Sequence, residues 1–153
     1  MTYDSSKDTK LHKYLVTVGI AKIVDILLVR AEHHDDSKLE PPEKEVFDEF
    51  TPKLSATTFG SDEYKANTAA MRPAIEHHQS VNRHHPEHFE NGIAGMNLVD
   101  VVEMMCDWWA ASKRHADGDI FRSIEICQKR FRFSDEMKSI FINTAKLLEG
   151  TES

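Results

Sequence analysis

The 153-residue chain is poor in glycine, with six, and in proline, with five. So few backbone punctuators, together with few alternating polar–apolar runs, point away from sheet and towards helix. Cysteine is scarcer still: Cys106 and Cys127 are the only two. Both fall within apolar helical patterns and read as small core residues, so no disulfide framework is implied and a reducing cytoplasm fits. No apolar stretch reaches the ~18 residues needed to cross a bilayer. The N-terminal MTYDSSKDTK is too polar and acidic for a signal peptide. Positive charge is also in deficit, with 19 Lys and Arg against 26 Asp and Glu. Phosphate-backbone contacts need the opposite surplus, which argues against a nucleic-acid polymer as partner. Local basic stretches remain at residues 113–115 and 129–132. The expectation is a soluble cytoplasmic protein without membrane association.

What is present is an ordinary globular composition, 40% hydrophobic and 29% charged. The length suits one domain that buries about two-thirds of its unfolded surface. Residues 1–9 read as a flexible tail. From Lys10 to about Glu32 the pattern is helical, with Leu11, Leu15, Val18, Ile23, Ile26, Leu27 and Val29 supplying apolar surface and Gly19 as its one weak point. Pro41-Pro42 stops that run, and Pro42-Glu43-Lys44-Glu45 starts another helix, with proline in the first turn and acids after it. Pro52 is expected to close it. Ser61 or Asp62 caps a helix from Glu63 to about Gln79, in which Pro73 forces a kink or a fresh start. Residues 82–95 read as loop with a short turn. Asn97 caps an apolar helix from Leu98 to about His115, Asp117-Gly118-Asp119 turns, and Ile120–Arg130 is helical. Ser134 caps the last helix, which runs to Leu148 before Gly150. The fold class is all-α: a compact single-domain bundle of about six or seven helices over residues 10–150. Such small helical domains often pair through an apolar face, so a homodimer is expected.

The chemistry concentrates in histidine. Seven of the nine histidines fall in two clusters: His33-His34, then His77, His78, His84, His85 and His88. The first belongs to RAEHHDDSKLE, where two histidines, two aspartates and Lys38 follow an apolar run. Imidazole is the commonest metal ligand and a carboxylate its usual partner at catalytic divalent ions. A third group lies on the apolar helix after Asn97, where Asp100, Glu103 and Asp107 at i, i+3 and i+7 share one face. Buried carboxylates are costly unless paired or bound to metal. A solvated polar face is the bland reading of that stripe, and the histidine clusters weigh against it.

The doublet His34-Asp35 followed by Lys38 resembles the motif of the HD-domain metal-dependent phosphohydrolases. Those enzymes use a helix-borne histidine, the doublet and a distant aspartate. The resemblance implies an HD-like fold and assigns the metal to His12, His34, Asp35 and Asp100. His12 and His34 lie 22 residues apart, a span of ~33 Å on one continuous helix. Shared coordination therefore requires a chain reversal near Gly19; without it, His78 or His85 must take the place of His12. Taken whole, the chain resembles an uncharacterised phage and bacterial family related to these enzymes. The shared motifs are HHDDSKL-PPE, TPKL, FGSDEYK, NRHHPEHF-NGI-GM-L-D and EM-DWWAA.

The resemblance implies a phosphohydrolase acting on a nucleotide or similar small phosphate ester. The cofactor would be a divalent ion: Mn²⁺, Co²⁺, Fe²⁺, Mg²⁺ or Zn²⁺. Glu103 or Asp36 would orient the attacking water or accept its proton. Lys38, His78 and Arg83 would neutralise phosphoryl charge. His84 or His85 would hold a second ion or protonate the leaving oxygen. Asn82 and Arg114 complete the expected substrate contacts. Of Trp108 and Trp109, core packing outweighs base stacking. The alternative function is a non-catalytic metal- or nucleotide-binding accessory or counter-defence protein of phage. A helical protein that binds zinc only for stability is a third reading.

Overall fold

The computed structural model describes residues 3–57, 61–114 and 118–151. Among them the secondary structure is helical throughout, with seven α-helices and no strand. Two compact units meet at one peptide bond: the first ends at His34 and the second begins at Asp35.

The first unit is built on α1 (Ser6–Glu32). It starts inside the stretch expected to be a loose tail and runs unbroken through Gly19. A single glycine in an exposed helix interior costs only about 1 kcal/mol relative to alanine, too little to turn the chain. The reversal that would bring His12 towards His34 is therefore absent. His12 lies exposed on α1, ~33 Å of helix rise from His34. His12 cannot share an ion with His34.

In the second unit a short 3-10 turn (Asp36–Leu39) leads through Pro41-Pro42 into α2 (Glu43–Ala56). Pro52 does not close α2 but sits inside it. It faces solvent, where water can satisfy the carbonyl that loses its donor. Ser61 caps α3 (Asp62–Ala70) by accepting from the Tyr64 amide at 3.1 Å. Pro73 then occupies the first turn of α4 (Arg72–Val81), so the expected interruption is a fresh start. Two 3-10 turns (Pro86–His88 and Gly92–Gly95) lead to α5 (Leu98–Ser112), followed by α6 (Ile120–Phe131) and α7 (Asp135–Leu148). Ser134 caps α7 through the Met137 amide. Gly60 and Asp117, expected in turns, lie outside the described residues, as does His115.

The apolar core of this unit lies between α5, α6 and α7: Met104, Met105, Ile120, Ile124, Phe133, Phe141 and Ala145. Trp108 stacks parallel to Phe131 and meets Phe141 edge-on. Trp109 donates its indole N–H to Glu149. Both tryptophans thus pack against this core. With Met104 and Met105 held there, α5 turns Asp100, Glu103 and Asp107 to its other side.

Candidate metal centre

A second buried region lies where the Asp36–Leu39 turn, α2 and α4 meet, and its most deeply buried members are polar. Glu43, the first residue of α2, has no exposed surface, and His78 on α4 is 4% exposed. Glu43 Oε1 takes His77 Nδ1 at 2.8 Å, and Oε2 takes His78 Nδ1 at 2.9 Å. The Ser37 hydroxyl donates to the same Oε2 at 3.0 Å, and the Asn82 amide donates to Ser37 Oγ and to the His78 carbonyl. An ionised carboxylate only accepts, so the network assigns the His78 proton to Nδ1 and leaves the Nε2 lone pair on the far side of the ring.

That lone pair is buried, and Nε2 makes no hydrogen bond. It lies 3.2 Å from Asp35 Oδ1, whose other neighbour, at 3.4 Å, is His84 Nε2. His84 repeats the arrangement: its Nδ1 lies 3.2 Å from Glu103 Oε1. Two imidazoles thus have Nδ1 held by a carboxylate and Nε2 aimed at one oxygen. This carboxylate–histidine pairing is how ligating histidines are oriented at metal sites. His85 completes the group, because ligand atoms of His78, His84 and His85 all lie within 4.8 Å of one another. Three imidazole nitrogens suit a divalent transition ion, and Asp35 Oδ1 lies beside two of them.

Local backbone explains the aim. Asp35 has φ 65° and ψ 14°, left-handed backbone that non-glycine residues seldom adopt. Lys38, one turn on, meets Asp35 Oδ2 at 2.6 Å, so the two carboxylate oxygens face different partners. Burial opposes the Asp35 charge, but the hydrogen bonds made to it, with the Lys38 ammonium on Oδ2, hold the carboxyl well below the usual range. On the other side, α4 ends at Asn82, and a turn with the His85 amide on the Asn82 carbonyl brings His84 and His85 back beside His78. Burial, then the neighbouring His84 and His78, push the His85 pKa down to about 3. His85 is therefore neutral near pH 7 and offers a nitrogen lone pair.

The structure thus brings His78, His84 and His85 together, with Asp35 against the first two and Lys38 and Glu103 in support. Glu103 faces His84, with its Oε1 at the Nδ1 of that imidazole. Asp100 is fully buried and serves elsewhere. Its Oδ1 and Oδ2 accept from Arg83 at 3.1 and 3.0 Å, and Oδ2 also accepts from the Asn97 amide. Asn97 in turn accepts from the Asp100 amide, which completes a capping box at the start of α5. Asp100 is a cap and an ion-pair partner, not part of the histidine group. Arg83, bound to Asp100 and lying over the Phe89 ring, is committed to this ion pair. Asn82 is part of the scaffold described above. Asp36 is exposed on its turn, and Arg114 is exposed just beyond α5. His34 belongs to the first unit and is joined to Asp35 by the chain.

Two residues without an assigned role in the sequence enter the site. Glu43 reads locally as a helix-start acid, and its histidine partners lie 34 and 35 residues away. Asp107, one turn beyond Glu103, lines a cleft of about 300 Å³ with His85, Trp108, Cys127, Arg130 and Phe131.

Residues 1–151 match the family described as a family of unknown function, DUF5662. The chain belongs to that family. No curated protein matches it, and no solved structure does. For DUF5662, then, the geometry of the centre carries whatever can be said of chemistry. Among the described residues, no helix is long and apolar enough to cross a membrane.

Proposed function

We propose that the chain is a divalent-metal-dependent phosphohydrolase, acting on a nucleotide or a similar small phosphate ester. The observation that carries this reading is the paired orientation of His78 and His84, each held at Nδ1 by a carboxylate with Nε2 directed at Asp35. A bound divalent ion would supply a water of lowered pKa and polarise a phosphoryl oxygen. The chain's own groups supply the rest. His78, His84 and His85, with Asp35 beside them, would hold the ion, while Glu43 and Glu103 fix the imidazole tautomers. Lys38 keeps Asp35 ionised. Asp107, on the cleft wall beside His85, is the carboxylate placed to take the proton of the attacking water. The cleft is at the small end of ligand pockets, and Trp108 and Phe131 offer its substrate an aromatic wall.

The test is phosphate release from a panel of nucleoside phosphates and simple aryl phosphates by protein loaded with Mn²⁺ or Co²⁺. Asp107→Asn is expected to lower kcat by about 10²–10⁴-fold, the usual contribution of general acid–base catalysis, with metal content unchanged. Metal-loaded protein that releases no phosphate from any member of the panel would contradict the hydrolase and leave a metal-binding module.

A further inference from the structure

α1 is the longest helix, yet it buries none of its side chains. Leu11, Leu15, Val16, Ile23, Ile26 and Val29 are each 45% exposed or more. A helix of ~40 Å that presents this much apolar surface to water carries the signature of a contact surface. Its sequence says what the contact is. Gly19 is the midpoint of Ser6–Glu32, with thirteen residues on either side. A Cβ at Gly19 would meet nothing within 4 Å, so the packing of the chain itself does not require glycine there. At about 100° per residue, Leu15 and Ile23 fall on the Gly19 face, four residues before and after it. His12 and Ile26, seven residues to either side, lie near the centre of that face, and Leu11 and Leu27, eight to either side, at its margins. Asp8 and Arg30 lie eleven residues to either side and return to its centre. The Tyr3 hydroxyl donates to Asp8 at the helix start.

We propose that α1 pairs with α1 of a second copy of this chain, antiparallel, about a two-fold axis at Gly19. A two-fold contact is self-complementary: residue i of one copy meets residue j of the other, and j meets i. Crossing at Gly19 sets Leu15 against Ile23 and Leu11 against Leu27, and it sets the Asp8 carboxylate against the Arg30 guanidinium at both ends. Glycine at the crossing lets the two backbones approach closely. An unrelated partner has no reason to match the Asp8 and Arg30 charges equidistant from Gly19; a copy of the same helix matches them at both ends. The proposal is independent of the metal reading.

The test uses the full-length protein in sedimentation equilibrium. Wild type is expected to be a dimer. Asp8→Arg or Arg30→Asp alone sets like charges opposite each other at both ends and should raise the dissociation constant at least about tenfold. An equimolar mixture of the two variants should restore the wild-type value, because the hetero-pair is complementary at both ends. Residues 8 and 30 of one copy are ~33 Å apart, so the rescue can arise only between copies. Gly19→Phe, harmless to a free chain with open space at that Cβ, should abolish the dimer while circular dichroism stays unchanged. A monomeric wild type, single variants that dimerise as well as wild type, or a mixture without rescue would each overturn the proposal.

Discussion

Two regions of the second unit bury side chains by opposite chemistry. Between α5, α6 and α7 the cluster is apolar, with Met104, Ile124 and Ala145 lacking any exposed surface and Phe141 almost without it. Around the Asp36–Leu39 turn, α2 and α4, the depth is filled by Glu43 and His78, with His84 close by. The apolar cluster follows from the hydrophobic effect and stabilises in proportion to the area removed from water. The polar region returns little stability, since each carboxylate and imidazole must regain from its neighbours what it loses in solvation. A chain selected only for stability would fill such a place with leucine. That contrast makes the polar region the candidate site and the apolar cluster its support, with α5 belonging to both. Met104 and Met105 face one way, Glu103 and Asp107 the other.

The contrast can be broken from either side. The largest effect on folding is expected from Phe141→Ala, which should cost about 3–5 kcal/mol as a large-to-small core change. Urea unfolding measures it, and the protein that remains folded should keep its full metal content. Glu43→Gln should do the reverse. It should lower metal affinity about 10–100-fold, as losses of an orienting outer carboxylate do, at a folding cost of about 1–3 kcal/mol for the imidazole donors left unsatisfied. Isothermal titration with Mn²⁺ or Zn²⁺ reads the first effect and urea unfolding the second. A Glu43→Gln variant with wild-type affinity would mean that its histidines are held for folding alone.

A smaller effect concerns pH. His85, pushed down to about 3 chiefly by burial, stays neutral in the folded protein where an unfolded chain would already have protonated it below about 6.5. Its contribution is therefore complete above about pH 6.5 and is lost progressively as pH falls towards 3. Metal-free wild type should lose stability over this window more steeply than metal-free His85→Gln, as read by urea midpoints at stepped pH. Smallest of all is a difference in thiol reactivity. Burial raises the Cys127 pKa to about 11, whereas Cys106, also raised, is exposed. Iodoacetamide at pH 8 should therefore label Cys106 first, as followed by peptide mass.

Much of the helical frame is legible in the sequence, because the signals involved are local. Ser61, Asn97 and Ser134 each cap a helix within three residues of their partners, and Pro73 starts a helix where its missing N–H costs nothing. Local rules misread Pro52, because a solvent-facing helix absorbs a lost donor at a cost the rest of the helix outweighs, whereas they carry the helix correctly through Gly19. In the site, the histidine clusters are visible as composition, but their grouping is not. Glu43 has the look of an N-terminal acid favouring the helix dipole, and nothing within ten residues reports that His77 and His78 close over it. The fate of Asp100 could have been read: Asn97 and Asp100 have the spacing of a capping box. A carboxylate used as a cap and bound by Arg83 is poorly placed to serve an ion.

The central claim is that Asp35, His78, His84 and His85 form a metal centre. The direct test is elemental analysis of protein purified without chelator, beside Asp35→Asn. Asparagine tolerates the left-handed backbone at position 35, so the variant should fold while losing the charged ligand. About one transition ion per wild-type chain, lost or strongly depleted in Asp35→Asn with the circular dichroism of the metal-free forms unchanged, is the result this account predicts. Wild-type protein that holds no ion, even after equilibration with Mn²⁺ or Zn²⁺, would contradict it.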